Sequence, residues 1–292
     1  MTGSNHAPID ATRRKRDRSR PTLYAAGGSF LCVAAMACTV TRPSADVTAH
    51  HADPASQPAA DADRYADVYR NDWRAGLPRE VALQEANPSG VTVVPDPVDP
   101  TARAVLASVR QGENFARVAN GSPRAEMTFA NAWRFRPGHV YVIRWRTYTP
   151  RGLHVEPNQA LVITQIHQGS LSGPPPVELD IQGNQYVFTE RGGQHGGNRT
   201  PLCCVNDDAG KWVDWTLRYA PDPLGKHAST RLWKNGVLQY TSDGRPNAYP
   251  DDASSYLKMG IYLPFGWKPA PGAATGFSLF FGPVSVQARD AR

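Results

Sequence analysis

The sequence predicts an all-β protein, a β-sandwich of the jelly-roll kind with an open cleft on one sheet. Three observations point there. From about residue 79 onward, short runs of alternating apolar and polar residues follow one another at regular spacing, separated by turn residues. The 26 prolines and 25 glycines in 292 residues favour many turns over long helices. Two of the runs carry an apolar face opposite a face of polar, reactive side chains, and a third places an amide and an imidazole together on one face, as in a sheet with one side in a core and the other open.

Taken from the front, residues 1–37 read as an export signal. The basic run RRKRDRSR precedes the apolar stretch LYAAGGSFLCVAAMACTV, and a polar region follows. Ala35-Met36-Ala37 fits a small-x-small cleavage site, and Cys38 comes next. This arrangement resembles a bacterial lipoprotein signal, which would make Cys38 the lipid-bearing residue and a membrane attachment point; simple cleavage is the alternative. Either way the protein is expected in the periplasm, on the outer membrane or outside the cell. Residues 38–78, rich in Ala, Asp, Pro and Ser at their start, read as a linker, and residues 79–292 as the β domain. Six cations against two acids put +4 of the +6 net charge into residues 1–37, leaving only +2 on the rest. A nucleic-acid partner is therefore not expected, whereas a local basic groove for an acidic ligand is.

Within the domain, GVTVVPD, ARAVLASVRQ, RAEMTFA, GHVYVIRWRTY, ALVITQIH, PVELDIQ, QYVFTER, KWVDWTLRYA, STRLWK, GVLQY, YLKMGIYL and GFSLFFGPVSVQ are the strands. Asn235-Gly236 is a hairpin turn. Trp133, Trp145, Trp212, Trp215 and Trp233 are expected to pack in the core or hairpins. Cys203 and Cys204 are either a vicinal disulfide or two buried thiols. No cysteine spacing resembles a zinc site.

The polar faces define a constellation. In RAEMTF, Ala125, Met127 and Phe129 face the core and leave Arg124 and Glu126 opposite. In YLKMGIYL, Leu257, Met259, Ile261 and Leu263 face the core and leave Tyr256, Lys258, Gly260 and Tyr262. Strict alternation in LVITQIH puts Gln165 and His167 on one face with Leu161 and Ile163, and Val162, Thr164 and Ile166 on the other. One surface then offers a guanidinium, an amide, an imidazole, an ammonium and a phenol. That set suits β-elimination from a uronic-acid polymer. The proton on C5 is poorly acidic beside a carboxylate, so donors must hold that carboxylate and stabilise the enolate-like dianion. A base then takes the proton and an acid protonates the departing O4. Arg124, Gln165 and also His167 suit the holding role, His167 or Tyr262 the base, and Tyr262 the acid, with Lys258 able to lower the Tyr262 pKa.

The blocks R-A-E-M (124–127), Q-I-H (165–167) and Y-L-K-M-G-I-Y (256–262) resemble the three signature blocks of jelly-roll alginate lyases of family 7. Those read roughly R-S/T-E-L, Q-I/V-H and Y-F-K-A-G-V/I-Y-N-Q, in the same order. Met127 replaces the leucine, and Leu263-Pro264 replaces the final Asn-Gln. The flanks PDPVDPTARAVLASVRQGEN and GKWVDWTLRY look closer to heparin-lyase-I-like and glucuronan lyase relatives. The similarity spans roughly residues 85–290. It implies a concanavalin-like jelly roll cleaving an acidic polysaccharide without a cofactor or catalytic metal, as a monomer. It also implies that Arg124 and Gln165 hold the carboxylate, that His167 is base or neutraliser, that Tyr262 is acid or acid/base, and that Glu126 and Lys258 support the site. For glucuronate, whose C5 proton and O4 lie on the same side, Tyr262 would make both transfers while His167 helps hold the carboxylate; for guluronate, where the two lie on opposite faces, His167 would be base and Tyr262 acid.

Tyr256, His195 in the loop RGGQHGGNR and Trp267 in PFGWKPAPG complete the expected substrate contacts, Trp267 by stacking on sugar. A structural calcium site near Asp207-Asp208 or Asp251-Asp252 is compatible with the sequence. Two other readings fit parts of it. VELDIQ resembles the E-x-D-x-E strand of jelly-roll glucanases, with Glu178 and Asp180 in place, but Gln182 has no proton to give a leaving group. A non-catalytic sugar-binding jelly roll would also explain a cleft.

Overall fold

Alternating apolar residues from distant parts of the chain meet in two antiparallel sheets. The computed structural model describes residues 65–169, 173–268, 270 and 272–291. The expected signal segment, Cys38 and linker residues 38–64 lie outside the described residues. One sheet is nine-stranded. It runs β13 (Val237–Asp243), β12 (Ser229–Lys234), β11 (Trp212–Ala220), β6 (His139–Tyr148), β15 (Gly276–Phe281), β4 (Arg103–Arg110), β3 (Val91–Pro95). In the same sheet β16 (Val284–Asp290) pairs with β6, and β1 (Ala66–Asn71) pairs with β16. The second sheet is seven-stranded: β10 (His195–Leu202), β9 (Gln185–Gly192), β8 (Val177–Gln182), β7 (Leu161–His167), β14 (Tyr256–Tyr262), β5 (Arg124–Thr128), β2 (Ala82–Glu85). This is a jelly-roll sandwich, and one single-turn helix, α1 (Val205–Asp208), follows β10.

The inner faces make one core. Ala125, Met127 and Phe129 of β5 and its end, with Leu257, Met259, Ile261 and Leu263 around β14, meet Ile143, Trp145, Leu217 and Leu279 of the opposite sheet. Trp145 stacks on Trp215 at 6.2 Å, and Trp133, Trp145, Trp215 and Trp233 are all buried. Asn235 and Gly236 both have positive φ (49° and 80°), which turns β12 into β13 as a tight hairpin. Cys203 and Cys204 form a vicinal disulfide immediately before α1.

Three features depart from the sequence reading. The linker ends earlier than residue 78: β1 closes an edge, and Trp73 is fully buried with its indole N–H on the Gly282 carbonyl (2.7 Å). RGGQHGGNR is not a loose loop: it closes the β9–β10 hairpin, with Gly192 paired to His195, Asn198 to Glu190 and Arg199 to Thr189, and a register irregularity between His195 and Asn198. Strict alternation also fails in β7. Val162 pairs with Asp180 and Thr164 with Leu179, so Ile163 is an extra residue, a β-bulge. The bulge lets Leu161, Ile163 and Ile166 all enter the core while Gln165 and His167 face outward. Without it, those two polar side chains would share the face of Leu161 and Ile163.

Candidate active site

The outer face of the seven-stranded sheet carries a cleft of about 580 Å³. Arg124 (β5), Gln165 and His167 (β7), and Tyr256, Lys258 and Tyr262 (β14) all line it, so the three sequence blocks converge. The register explains the convergence: Tyr262 lies opposite Arg124, Gly260 opposite Glu126, Lys258 opposite Gln165, and Tyr256 opposite His167. Cross-strand neighbours on one face touch, and these are such neighbours.

The floor is organised by one carboxylate. Glu126 Oε2 accepts from Lys258 Nζ (2.5 Å) and Arg124 Nη1 (3.2 Å), and Oε1 accepts from Gln165 Nε2 (2.6 Å). Glu126 and Lys258 are only 2% and 1% exposed. Glu126 is not part of the cleft lining and supports it from beneath, while Lys258 reaches the cleft wall. Two cations share this single carboxylate, so the cluster keeps one net positive charge against the cleft. Gly260 makes the packing possible. At φ 147°, a Cβ there would lie 2.2 Å from the Ala125 carbonyl oxygen and 2.6 Å from Glu126 Cα.

Above this floor stand the groups able to move protons. His167 Nδ1 lies 2.7 Å from the Gln168 carbonyl oxygen, which can only accept, so Nδ1 carries a hydrogen and Nε2 of the neutral ring keeps its lone pair. Burial lowers the His167 pKa, the Gln168 hydrogen bond partly offsets this, and the Lys258 charge lowers it further. The ring stacks on Tyr256 at 5.2 Å. The Tyr262 ring packs under the Arg124 guanidinium (4.0 Å), and Asn120 Nδ2 donates to its hydroxyl (3.4 Å). Asn120 Oδ1 also accepts from Arg124 Nη2. Lys258 Nζ is 5.8 Å from the Tyr262 ring centre and is committed to Glu126 and Gln84.

The polysaccharide lyase family model matches residues 63–281. The chain belongs to the polysaccharide lyase family. It is a carbon–oxygen lyase acting on a polysaccharide. Among solved structures it is similar in fold to an endo-β-1,4-glucuronan lyase from the fungus Trichoderma reesei, with a TM-score of 0.60 and 15% identity over 76% of this chain and 95% of that one. It also resembles a substrate complex of the family 7 alginate lyase A1-II′, with a TM-score of 0.50 and 14% identity over 73% and 93% of the two chains. No curated protein matches it in sequence.

The rest of the lyase cleft holds residues the sequence did not single out. Gln84 accepts from both Lys258 and Arg124 (2.8 and 3.3 Å), and Asn120 links Arg124 to Tyr262. Phe265, 70% exposed, lines the cleft. Trp267, expected to stack on sugar, is instead packed on Phe277 (5.2 Å, 10° between planes) and lines a separate pocket. Gln159 fixes this loop by bonding the Gly266 carbonyl (3.2 Å) and the Lys268 amide (2.9 Å). His195 opens β10 opposite Gly192, and its side chain lies outside the described residues. At the far end of the cleft Glu178 is ion-paired to Arg191, and Gln182 accepts from Arg199 (3.0 Å). Glu178 and Gln182 are thereby tied to arginines, so this strand does not present the paired free carboxyls a glucanase needs. Asp252 bonds the Gly169 and Ser254 amides, and Asp208 pairs with Lys234 (2.5 Å).

Proposed function

We propose that this lyase is exported and cleaves a uronic-acid polymer by β-elimination, with a β-1,4-linked glucuronate chain as its main substrate and alginate- or heparin-like chains as the related candidates. The observation that carries the reading is the Nδ1–H of His167 bonded to a carbonyl, which leaves Nε2 as a proton acceptor in the same cleft as the Tyr262 hydroxyl and a net-positive floor. In this reading the uronate carboxylate rests on the remaining N–H of Arg124 and the second N–H of Gln165. Nε2 of His167 removes the C5 proton, and the Tyr262 hydroxyl, approaching from the same side of the ring, where glucuronate carries both groups, protonates O4 as the C4–O bond breaks. The product is a C4–C5 unsaturated uronide and a new reducing end. This division assigns the base to His167, where the same-side route had left both transfers to Tyr262; a neutral imidazole accepting at Nε2 is poorly suited to hold a carboxylate. The similarity in fold to a glucuronan lyase and the character of the flanking segments support glucuronate. The basic-then-apolar start of the chain supports export, with Cys38 as a lipid attachment site.

The test is a panel of glucuronan, alginate and heparin-like polymers followed by the ultraviolet absorbance of the conjugated double bond. Reducing ends appearing without that absorbance would refute elimination. The mass of the mature protein from a bacterial host reports export and lipidation.

A further inference from the structure

The half of the cleft over β8–β10 is not used by the elimination chemistry, yet it is built. Asp180 is 3% exposed, lines the cleft, and its Oδ1 has no hydrogen-bond partner among the described residues. Arg199 also lines the cleft and is exposed; its one hydrogen bond among the described residues is to Gln182. Arg191, by contrast, is spent on Glu178 and the Pro175 carbonyl (2.8 Å). Glu178 and Asp180 stand on one strand, and β7 presents Val162 and Gln165 beside them while β9 presents Val187 and Thr189. From His167 on β7 to the β9–β10 hairpin is two to three strand spacings, roughly 10–15 Å. That separation exceeds one sugar ring.

We propose that this end of the cleft is a second carboxylate subsite, where the uronate neighbouring the one being cleaved places its carboxylate on Arg199 and receives a hydrogen bond from the protonated carboxyl of Asp180. The inference rests on the uronate-polymer reading and extends it from the reacting sugar to its neighbour. The charges agree. With Asp180 ionised, Arg191 and Arg199 are balanced by Glu178 and Asp180; with Asp180 protonated, one positive charge remains for the incoming carboxylate. Burial, then the charge of Glu178, pushes the Asp180 pKa up to about 7, against the opposing pull of Arg199 and Arg191. An acid in that state donates a hydrogen bond that an ionised carboxylate cannot. Polymer binding then takes up a proton, and the subsite weakens as the pH rises past 7.

The experiment measures binding of glucuronate and alginate oligomers by calorimetry, and unsaturated product by ultraviolet absorbance, for the wild type, Arg199→Ala and Asp180→Asn, about one pH unit either side of 7. Arg199→Ala is expected to weaken binding about tenfold or more, in line with loss of a charge-assisted hydrogen bond, with kcat changed less than about twofold. Wild-type affinity should fall about tenfold across the pH interval. Asp180→Asn, which keeps a donor, should hold its affinity across that interval apart from the smaller contribution of His167. Arg199→Ala binding within about twofold of wild type overturns the proposal, as does Asp180→Asn following the wild-type pH dependence. Product formation with an unaffected Arg199→Ala removes the subsite and keeps the uronate reading. Binding that responds to Arg199→Ala with no product removes the elimination reading and keeps the subsite. Neither binding nor product on any uronate polymer removes both.

Discussion

The imidazole of His167 and the phenol of Tyr262 divide one reaction between them, and their surroundings differ accordingly. His167 is held by a carbonyl and an aromatic ring, Tyr262 by a guanidinium and an amide. Tyr262→Phe should lower kcat by roughly 10²–10⁴-fold, the usual worth of a positioned acid or base. His167→Ala should lose a comparable amount, and His167→Asn should not recover it, because an amide in that place cannot accept a proton as imidazole does. Substantial recovery in His167→Asn would return His167 to carboxylate holding. The pH profile gives a second test. A base works deprotonated, so kcat/KM should rise as pH rises through the His167 pKa. Burial lowers that pKa, which places the acid limb below the ordinary imidazole range. A limb above that range would contradict this environment.

At the scale of strands, most of the molecule was legible because the core-facing runs alternate plainly. The same is true of two of the three motif blocks, whose polar faces follow directly from the alternation in β5 and β14. What the sequence hid has physical causes. β1 reads as linker because its strand residues are mostly exposed at a sheet edge. β10 hides behind the glycines of HGGNRTPL. The β7 bulge is invisible to any period-two reading, since it depends on register with β8. Phe265 and Trp267 lie two residues apart in one loop, and which of them meets the cleft depends on tertiary contacts, the Gln159 hydrogen bonds and the Trp267–Phe277 stack. The sensitive point among these elements is Gly260. Gly260→Ala should destabilise the domain by about 1–3 kcal/mol or more through overpacking against β5, and should depress kcat as well by displacing Glu126 and Tyr262. Unchanged melting and turnover would show that β5 and β14 separate without cost.

At the scale of the whole domain, β1 and Trp73 tie residues 66–73 to β16 and Gly282, far along the chain. A protein beginning at residue 65 should fold and turn over like the longer chain. One beginning at residue 79 loses β1 and a fully buried tryptophan, and should be less stable by about 3–5 kcal/mol, the range for removing a large core side chain. Equal denaturant midpoints for the two would place the fold's boundary where the sequence alone had put it.

The single carboxylate shared by Arg124 and Lys258 has a kinetic consequence. Residues 38–292 carry only +2 overall, too little to draw a polyanion from a distance. The unbalanced charge under the cleft is local, recessed and walled by low-dielectric protein, where field lines concentrate on the opening. Encounter with a charged polymer should then be fast in dilute buffer and slow steeply as ionic strength rises and the Debye length contracts to about 8 Å near 0.15 M. In stopped-flow mixing, added salt should lower the association rate while leaving the rate of the bound reaction nearly unchanged; an association rate indifferent to salt would mean that capture depends on contact alone.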